Sequence, residues 1–266
     1  MSTTPFYNQG STITVNKKGT ALKALVAELV SLDPMLSIDS VKTDTENSYQ
    51  VYLKIAGSQT FLHIYSATFS SGGAGAVCES GGWDSTGTWI SGSFENWTGI
   101  TVTGHQTCVV SWGIGNCLRY CAFVTDYGGS RGGGFVYGMF NTQTYSDTVV
   151  CTSSFSFGSS AFPSIPAITA FPNAFYNPDV DKVEYITYSY ISPNNAITLS
   201  GYDYTLCPFG YSGYTATKGF LNLRWGREHK LYELYNGATK ITAQPGKTVM
   251  VNGKSIMSVG RVIYAE

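Results

Sequence analysis

The chain has 266 residues, of which 43% are hydrophobic and only 12% charged, with 30 glycines, 19 tyrosines and a formal net charge of −1. That length buries a core without help from disulfides or metals, and the charged share is about half that of an ordinary soluble domain, so the surface is neutral and polar or is covered by partners. No stretch approaches the roughly 20 consecutive apolar residues of a membrane helix, which leaves no expectation of membrane insertion.

In chain order, MSTTPFYNQG lacks the basic and apolar pattern of a signal sequence, so synthesis in a cytoplasm is expected. STITVN reads as a strand. In TALKALVAELVSL, Leu22, Leu25, Val26, Leu29 and Leu32 recur at helical spacing. Thr20 is the expected N-cap, and Asp33 with Pro34 ends the helix. SYQVYLKIA and QTFLHIYS alternate as a hairpin joined through Gly57 and Ser58. Residues 1–67 thus read as a small α+β module, one helix on a short antiparallel sheet, with ordinary charge content.

Residues 68–217 read as a Gly- and aromatic-rich β body, sandwich-like and irregular, carrying three basic and nine acidic side chains. ESGGWDSTGTWISGSFENWTG places Trp83, Trp89 and Trp97 at even intervals, which would aim them to one side of an extended segment. Two readings follow, a hydrophobic core or a platform for sugar rings or a subunit interface. Glu79, Asp84 and Glu95 in the same stretch are the carboxylates that a glycoside hydrolase would need, although spacing alone does not separate an acid from a solvent-facing decoration. TCVVSW, CLRYCAFVT and GFVYGMFN read as strands, and no helix is expected there. The serine-hydrolase pattern formed by Gly128, Ser130 and Gly132 follows a strand but precedes glycines and another strand where a nucleophile elbow requires a helix. Its base would have to be His63, His105 or His229, none in a telling context.

Six cysteines (Cys78, Cys108, Cys117, Cys121, Cys151, Cys207) include no C-x-x-C, and Cys117 and Cys121 in one strand would stand about 13 Å apart. That exceeds the roughly 7 Å limit for a disulfide, so buried thiols are expected. No zinc-ligand spacing occurs, and the calcium-loop start at Asp179 and Asp181 has Glu184 where glycine is needed. Residues 159–178 place prolines so regularly that neither helix nor central strand persists. Phe162, Ile165, Ile168, Phe171 and Phe175 there want burial, so the segment reads as an extended arm over its own body or a neighbour. KVEYITYSYIS and AITLSGYDY then bracket Pro193-Asn194-Asn195 as a second hairpin.

Residues 218–266 carry eight basic and three acidic side chains and three turn dipeptides, Asn236-Gly237, Pro245-Gly246 and Asn252-Gly253, which define an antiparallel meander. PGKTVMVNGKS is no phosphate loop, because Ile241 and Thr248 stand where a Walker motif needs its first glycine. Asn96-Trp97-Thr98 matches a glycosylation sequon, which has meaning only in a secreted chain. The basic tail is spread over several strands, so an acidic protein partner is a simpler expectation than nucleic acid. An acidic body and a basic tail can attract each other within or between subunits, and the second geometry builds rings or stacks.

The charge-poor, Gly/Tyr/Ser/Thr-rich body and the closing KTVMVNGKSIMSVGRVIYAE resemble virion structural proteins of tailed bacteriophages, of the tail, baseplate or connector type. The resemblance covers the last 45 residues and the general composition, and it implies no catalytic residues and no cofactor. It implies a non-enzymatic assembly component of the virion whose partners are other copies of itself and other virion proteins. A carbohydrate- or host-receptor-binding virion protein that reads a host-surface glycan is the alternative, and a hydrolase the second.

Overall fold

The computed structural model of the chain describes residues 5–68, 74–98, 104–116, 118–126, 131–141, 148–157, 162–163, 174–177, 181–185, 189–190, 197–198, 204–208, 211–212, 231–236, 239–241, 246, 248–251, 254–259 and 262–265. For several strands, residues 92–98, 139–141 and 148–157 among them, the description is of the backbone. The elements in order are β1 (Pro5–Gln9), β2 (Ile13–Thr14), α1 (Lys18–Leu32), β3 (Leu36–Asp44), β4 (Tyr49–Ile55), β5 (Phe61–Thr68), β6 (Ala74–Trp83) and β7 (Trp89–Thr98). There follow β8 (Gln106–Ile114), β9 (Leu118–Thr125), β10 (Arg131–Asn141), β11 (Thr148–Phe157), β12 (Ala174–Asn177), β13 (Lys182–Tyr185), β14 (Ser189–Tyr190) and β15 (Ile197–Thr198). The last are β16 (Tyr204–Pro208), β17 (Tyr211–Ser212), β18 (Leu231–Asn236), β19 (Thr239–Ile241), β20 (Thr248–Val251), β21 (Lys254–Val259) and β22 (Val262–Ala265).

The protein is α+β and β-rich, as its sequence predicts: one helix among the described residues, and strands paired antiparallel. β3 to β7 form a five-stranded sheet in sequential order, and a second sheet runs β1, β8, β9, β10, β11, β12, β13 with β2 beside β8. A C-terminal sheet runs β15, β16, β18, β22, β21, β20, with β19 beside β18, and β14 pairs with β17.

Alternation decides what each strand buries. On β4, Tyr49, Val51, Leu53 and Ile55 enter the core, as do Leu62 and Ile64 of β5 and Ala76 and Cys78 of β6. They meet Leu22, Leu25, Val26 and Leu29 of α1, together with Val109, Cys121, Phe123, Phe135 and Tyr137 of the second sheet. Each fully buried leucine there contributes about 1.5–3 kcal/mol. Every residue of β9 is buried, which fits its near-continuous apolar run. Beyond the second sheet, β21 approaches β8, and Gly246, at φ +76°, sits against the ring of Tyr7.

Several local expectations are corrected. The helix begins at Lys18, with Lys17 as its cap residue and no side-chain cap bond, so Thr20 lies inside it. The Gly19 and Thr20 N–H groups donate to the Glu46 carbonyl at 2.9 and 3.3 Å, so the β3–β4 turn supplies what a capping hydroxyl would. STITVN is a strand only at Ile13 and Thr14, opposite Thr107 and Gln106, while Val15 carries the backbone hydrogen bonding on to His105 and Gly104; β1 takes the Val110–Ile114 end of β8. β3 was not expected, since SIDSVKTD lacks strict alternation; two register shifts against β4 explain the broken pattern.

The pairings also cross residue 67. β5 continues into β6 of the same sheet, and β1 joins β8, so residues 1–67 share both sheets with the segment that follows. Among the described residues, the two segments around Pro193-Asn194-Asn195 do not pair with each other: β13 pairs with β12, β14 with β17, and β15 with β16. At the C-terminus, hairpins do form around Asn236-Gly237 and Asn252-Gly253. The sheet then closes differently from a simple meander, because β22 inserts between β18 and β21.

Candidate functional site

The face of the five-stranded sheet opposite the core carries an unusual set of side chains. Alternation sends Gln50, Tyr52 and Lys54 of β4 and Phe61, His63 and Tyr65 of β5 to that side, and cross-strand pairing puts Tyr52 beside His63 and His63 beside Glu79 of β6. Tyr52 stacks on His63 with ring centroids 4.3 Å apart and planes 11° apart. Trp83 and Trp89 are cross-strand partners closing the β6–β7 hairpin. Their rings lie 5.2 Å apart at 66°, and each stands 4.9 Å from Tyr52. Both indoles are half-buried, while Tyr52 beneath them is 5% exposed.

Two local features bring Trp89 across the strand. Gly81 has no side chain, and a Cβ there would fall 2.7 Å from Trp89 Cζ2 and 2.1 Å from the Ile90 carbonyl. A register shift between Glu79 and Gly81 sets Ser91 opposite Gly81 and Phe94 opposite Glu79, leaving an extra residue in β7. The hairpin turn is held by Asp84, whose Oδ1 accepts from the Thr86 and Thr88 N–H groups, each at 2.8 Å. The Thr86 hydroxyl and these N–H groups hold the Asp84 carboxyl below its usual range, so Asp84 builds the turn.

Glu79 is the polar centre. It accepts from His63 Nδ1 at 3.2 Å, the Tyr65 hydroxyl at 3.0 Å, Trp89 Nε1 at 3.4 Å and the Ser91 hydroxyl at 3.0 Å. Burial pushes its carboxyl up, but the hydrogen bonds from His63, Ser91 and Tyr65 outweigh burial and leave it below the ordinary value. The Gln50 amide nitrogen, 2.8 Å from His63 Nε2, has only hydrogens to offer. His63 Nε2 therefore accepts, and the ring proton sits on Nδ1, directed at Glu79. Burial, then the neighbouring Glu79 charge, pushes the Tyr65 hydroxyl up to about 12. At neutral pH this is an ionised carboxylate fixed by four donors, under a rim of aromatic rings.

Of the aromatic residues singled out in sequence, Trp83 and Trp89 come together, through a hairpin instead of a single extended run. Trp97 pairs in backbone register with Ala76, a core position of β6, away from the register positions of the other two. Glu95 pairs with Cys78. Tyr52, Tyr65 and Gln50 were missed in sequence and His63 was weighed only as a serine-hydrolase base, although aromatic and amide residues at outward positions of an alternating hairpin were the available signal. In the arm, Phe162 is half-buried and Phe175 lies in β12, paired with Cys151, while Ile165, Ile168 and Phe171 lie outside the described residues. So do Gly128, Ser130 and His229. Among the other histidines, His105 Nδ1 donates to the Asp126 carbonyl at 2.5 Å. Cys78, Cys108 and Cys121 are buried thiols, and burial pushes Cys108 up to about 12.

A second polar cluster lies in the core behind α1. Asp33, fully buried, accepts from Arg119 Nε at 2.9 Å and Nη2 at 2.5 Å, from the Tyr137 hydroxyl, and from the Met35 N–H at 3.0 Å. Arg119 also donates to the Gly115 carbonyl and lies 4.2 Å over the Phe6 ring. Burial opposes the Arg119 charge, but the bond to Asp33 prevails and raises its pKa. Burial, then the Asp33 charge, holds the Tyr137 hydroxyl well above its usual range. This cluster ties the helix end to β1, β9 and β10, with no route for a substrate to a carboxylate at zero exposure.

Among the described residues, no group of three or more His, Cys, Asp or Glu side chains is placed to hold a metal ion, and no helix is long and apolar enough to cross a membrane. Comparison with protein-family models, with curated proteins and with solved structures yields no match to the chain.

Proposed function

We propose that the chain is a non-enzymatic structural and assembly component of a tailed-bacteriophage virion, of the tail or baseplate kind, acting through homo-oligomeric contacts. The observation that speaks against a glycoside-hydrolase acid at this site is the state of Glu79. A glycosidase acid needs a carboxyl with a raised pKa, whereas Glu79 is held low and already accepts four hydrogen bonds. Support for assembly comes from β3, an edge of the five-stranded sheet on which Ile38 and Val41 are 47% and 44% exposed. An edge strand of this kind offers unpaired backbone groups to a partner, and the acidic body and basic tail supply opposite charges. Native mass spectrometry across concentrations and the protein content of purified particles test this reading. Monomer alone at high concentration, together with absence from particles, refutes it.

A second reading, recognition of a host-surface glycan by the same particle, is favoured by Trp83 and Trp89, half-buried on the outer sheet face above Tyr52. Its test is a glycan array with Trp89→Ala: loss of binding with a nearly unchanged melting temperature supports it, and retained binding refutes it.

A further inference from the structure

We propose that the outer face of the five-stranded sheet binds the terminal ring of a glycan, a neutral pyranose, in the corner between Trp83 and Trp89. The inference rests on the glycan reading above and adds which part of the chain is read. A pyranose lays its C–H face on one aromatic ring, and a long chain needs several rings presented along one plane. Here the two indoles meet at 66° with centroids 5.2 Å apart. The rings touch edge to face, so a sugar stacked on one indole abuts the other, which stands as a wall against continuation of the chain past it.

The polar groups suit hydroxyls. Tyr65 and Ser91 spend their protons on Glu79, which leaves their oxygens as acceptors. Gln50 commits its nitrogen to His63, which leaves its amide oxygen. Lys42, 5.7 Å over the Trp83 ring and exposed, supplies donors. Fixed acceptors beside one cationic donor match the several hydroxyls around a sugar ring, and these orientations are set before binding, which spares the ordering entropy of a mobile site. Of the charged groups that the structure places against the two indoles, Glu79 is an anion bonded to Trp89 and Lys42 a cation over Trp83, so a neutral ring is favoured over a uronic or sialic acid.

The test uses the full chain labelled with 5-fluorotryptophan and followed by fluorine NMR. Methyl glycosides of glucose, galactose, mannose and N-acetylglucosamine, glucuronic acid, and homo-oligosaccharides of the same sugars are titrated. Trp83 and Trp89 resonances, assigned with Trp83→Phe and Trp89→Phe, should move with at least one neutral glycoside at millimolar concentration, while that of Trp112, fully buried, stays fixed. The hexasaccharide should bind within about threefold of the matching methyl glycoside, whereas a gain of about tenfold or more, roughly 1.4 kcal/mol, overturns the terminal-ring inference and leaves the glycan reading standing. Tighter binding of glucuronic acid overturns the neutral-ring assignment. Fixed resonances with every saccharide overturn both. If Trp83→Phe does not fold, Trp89→Phe assigns one partner and the remaining ligand-sensitive line still decides the outcome.

Discussion

Replacing Arg119 with methionine keeps most of the side-chain volume and removes the counter-charge of Asp33. The wild-type carboxylate, at zero exposure, has six donors: two from Arg119, the Tyr137 hydroxyl and the Met35 N–H, with the Ser111 hydroxyl at 3.5 Å and the Cys121 thiol at 3.9 Å as longer ones. Arg119→Met leaves a buried anion with neutral donors alone, those of Tyr137, the Met35 N–H, Ser111 and Cys121, and breaking a buried pair from one side costs about 3–5 kcal/mol. Against a total stability of about 5–15 kcal/mol, that is a large fraction. Tyr137→Phe removes one bond to a charged acceptor and should cost about 1.5–3 kcal/mol. The diagnostic variant joins Arg119→Met with Asp33→Leu: no charge is then stranded, and the double variant should be more stable than Arg119→Met alone. Urea unfolding followed by tryptophan fluorescence, with linear extrapolation to water, gives each value. A loss under about 1 kcal/mol for Arg119→Met, or a double variant no better than the single, would refute the view that these groups act as one buried unit.

Other consequences are equally direct. Glu79 has a lowered pKa when folded, so its contribution to stability is complete above the unfolded value of about 4.3 and is lost as pH falls through the folded value. Glu79→Gln should therefore flatten the acid limb of a melting-temperature profile below about pH 4.3, and an unchanged limb counts against the four-donor arrangement. Gly19→Ala improves helix propensity by about 1 kcal/mol. It nevertheless should destabilise, because the new Cβ would lie 2.2 Å from the Thr45 carbonyl and 2.4 Å from the Ser48 nitrogen; a rise in urea midpoint would contradict this packing. Gly81→Ala should push Trp89 off β6 and weaken the near-ultraviolet circular dichroism of the Trp83–Trp89 pair, and an unaltered spectrum would show that the indole does not lie there.

Much of the local structure was legible in the sequence. The spacing of Leu22, Leu25, Val26 and Leu29 marked the helix, and the alternation of SYQVYLKIA and QTFLHIYS marked β4 and β5. Both signals are periodicities of a chain against one buried face, so they survive in one dimension. β3 was not legible because its bulges break the period, and the helix start was missed because the cap is a backbone carbonyl from Glu46, contributed by a different turn. The candidate site was half legible: Trp83 and Trp89 stood out as residues, but Tyr52, His63 and Tyr65 joined them only through register.

The sequence by itself determined the class of the protein, β-rich with a helix near its start, and which strands alternate, because apolar periodicity and turn dipeptides act over a few residues. Tertiary structure decided the rest. Cross-strand pairing aligned Tyr52, His63 and Glu79 from three strands, a hairpin set the two indoles at an angle, and folding carried Arg119 to Asp33 across 86 positions of chain. Such contacts depend on which residues of distant strands fall opposite one another, and a one-residue slip in that register would send each of these side chains to the other face.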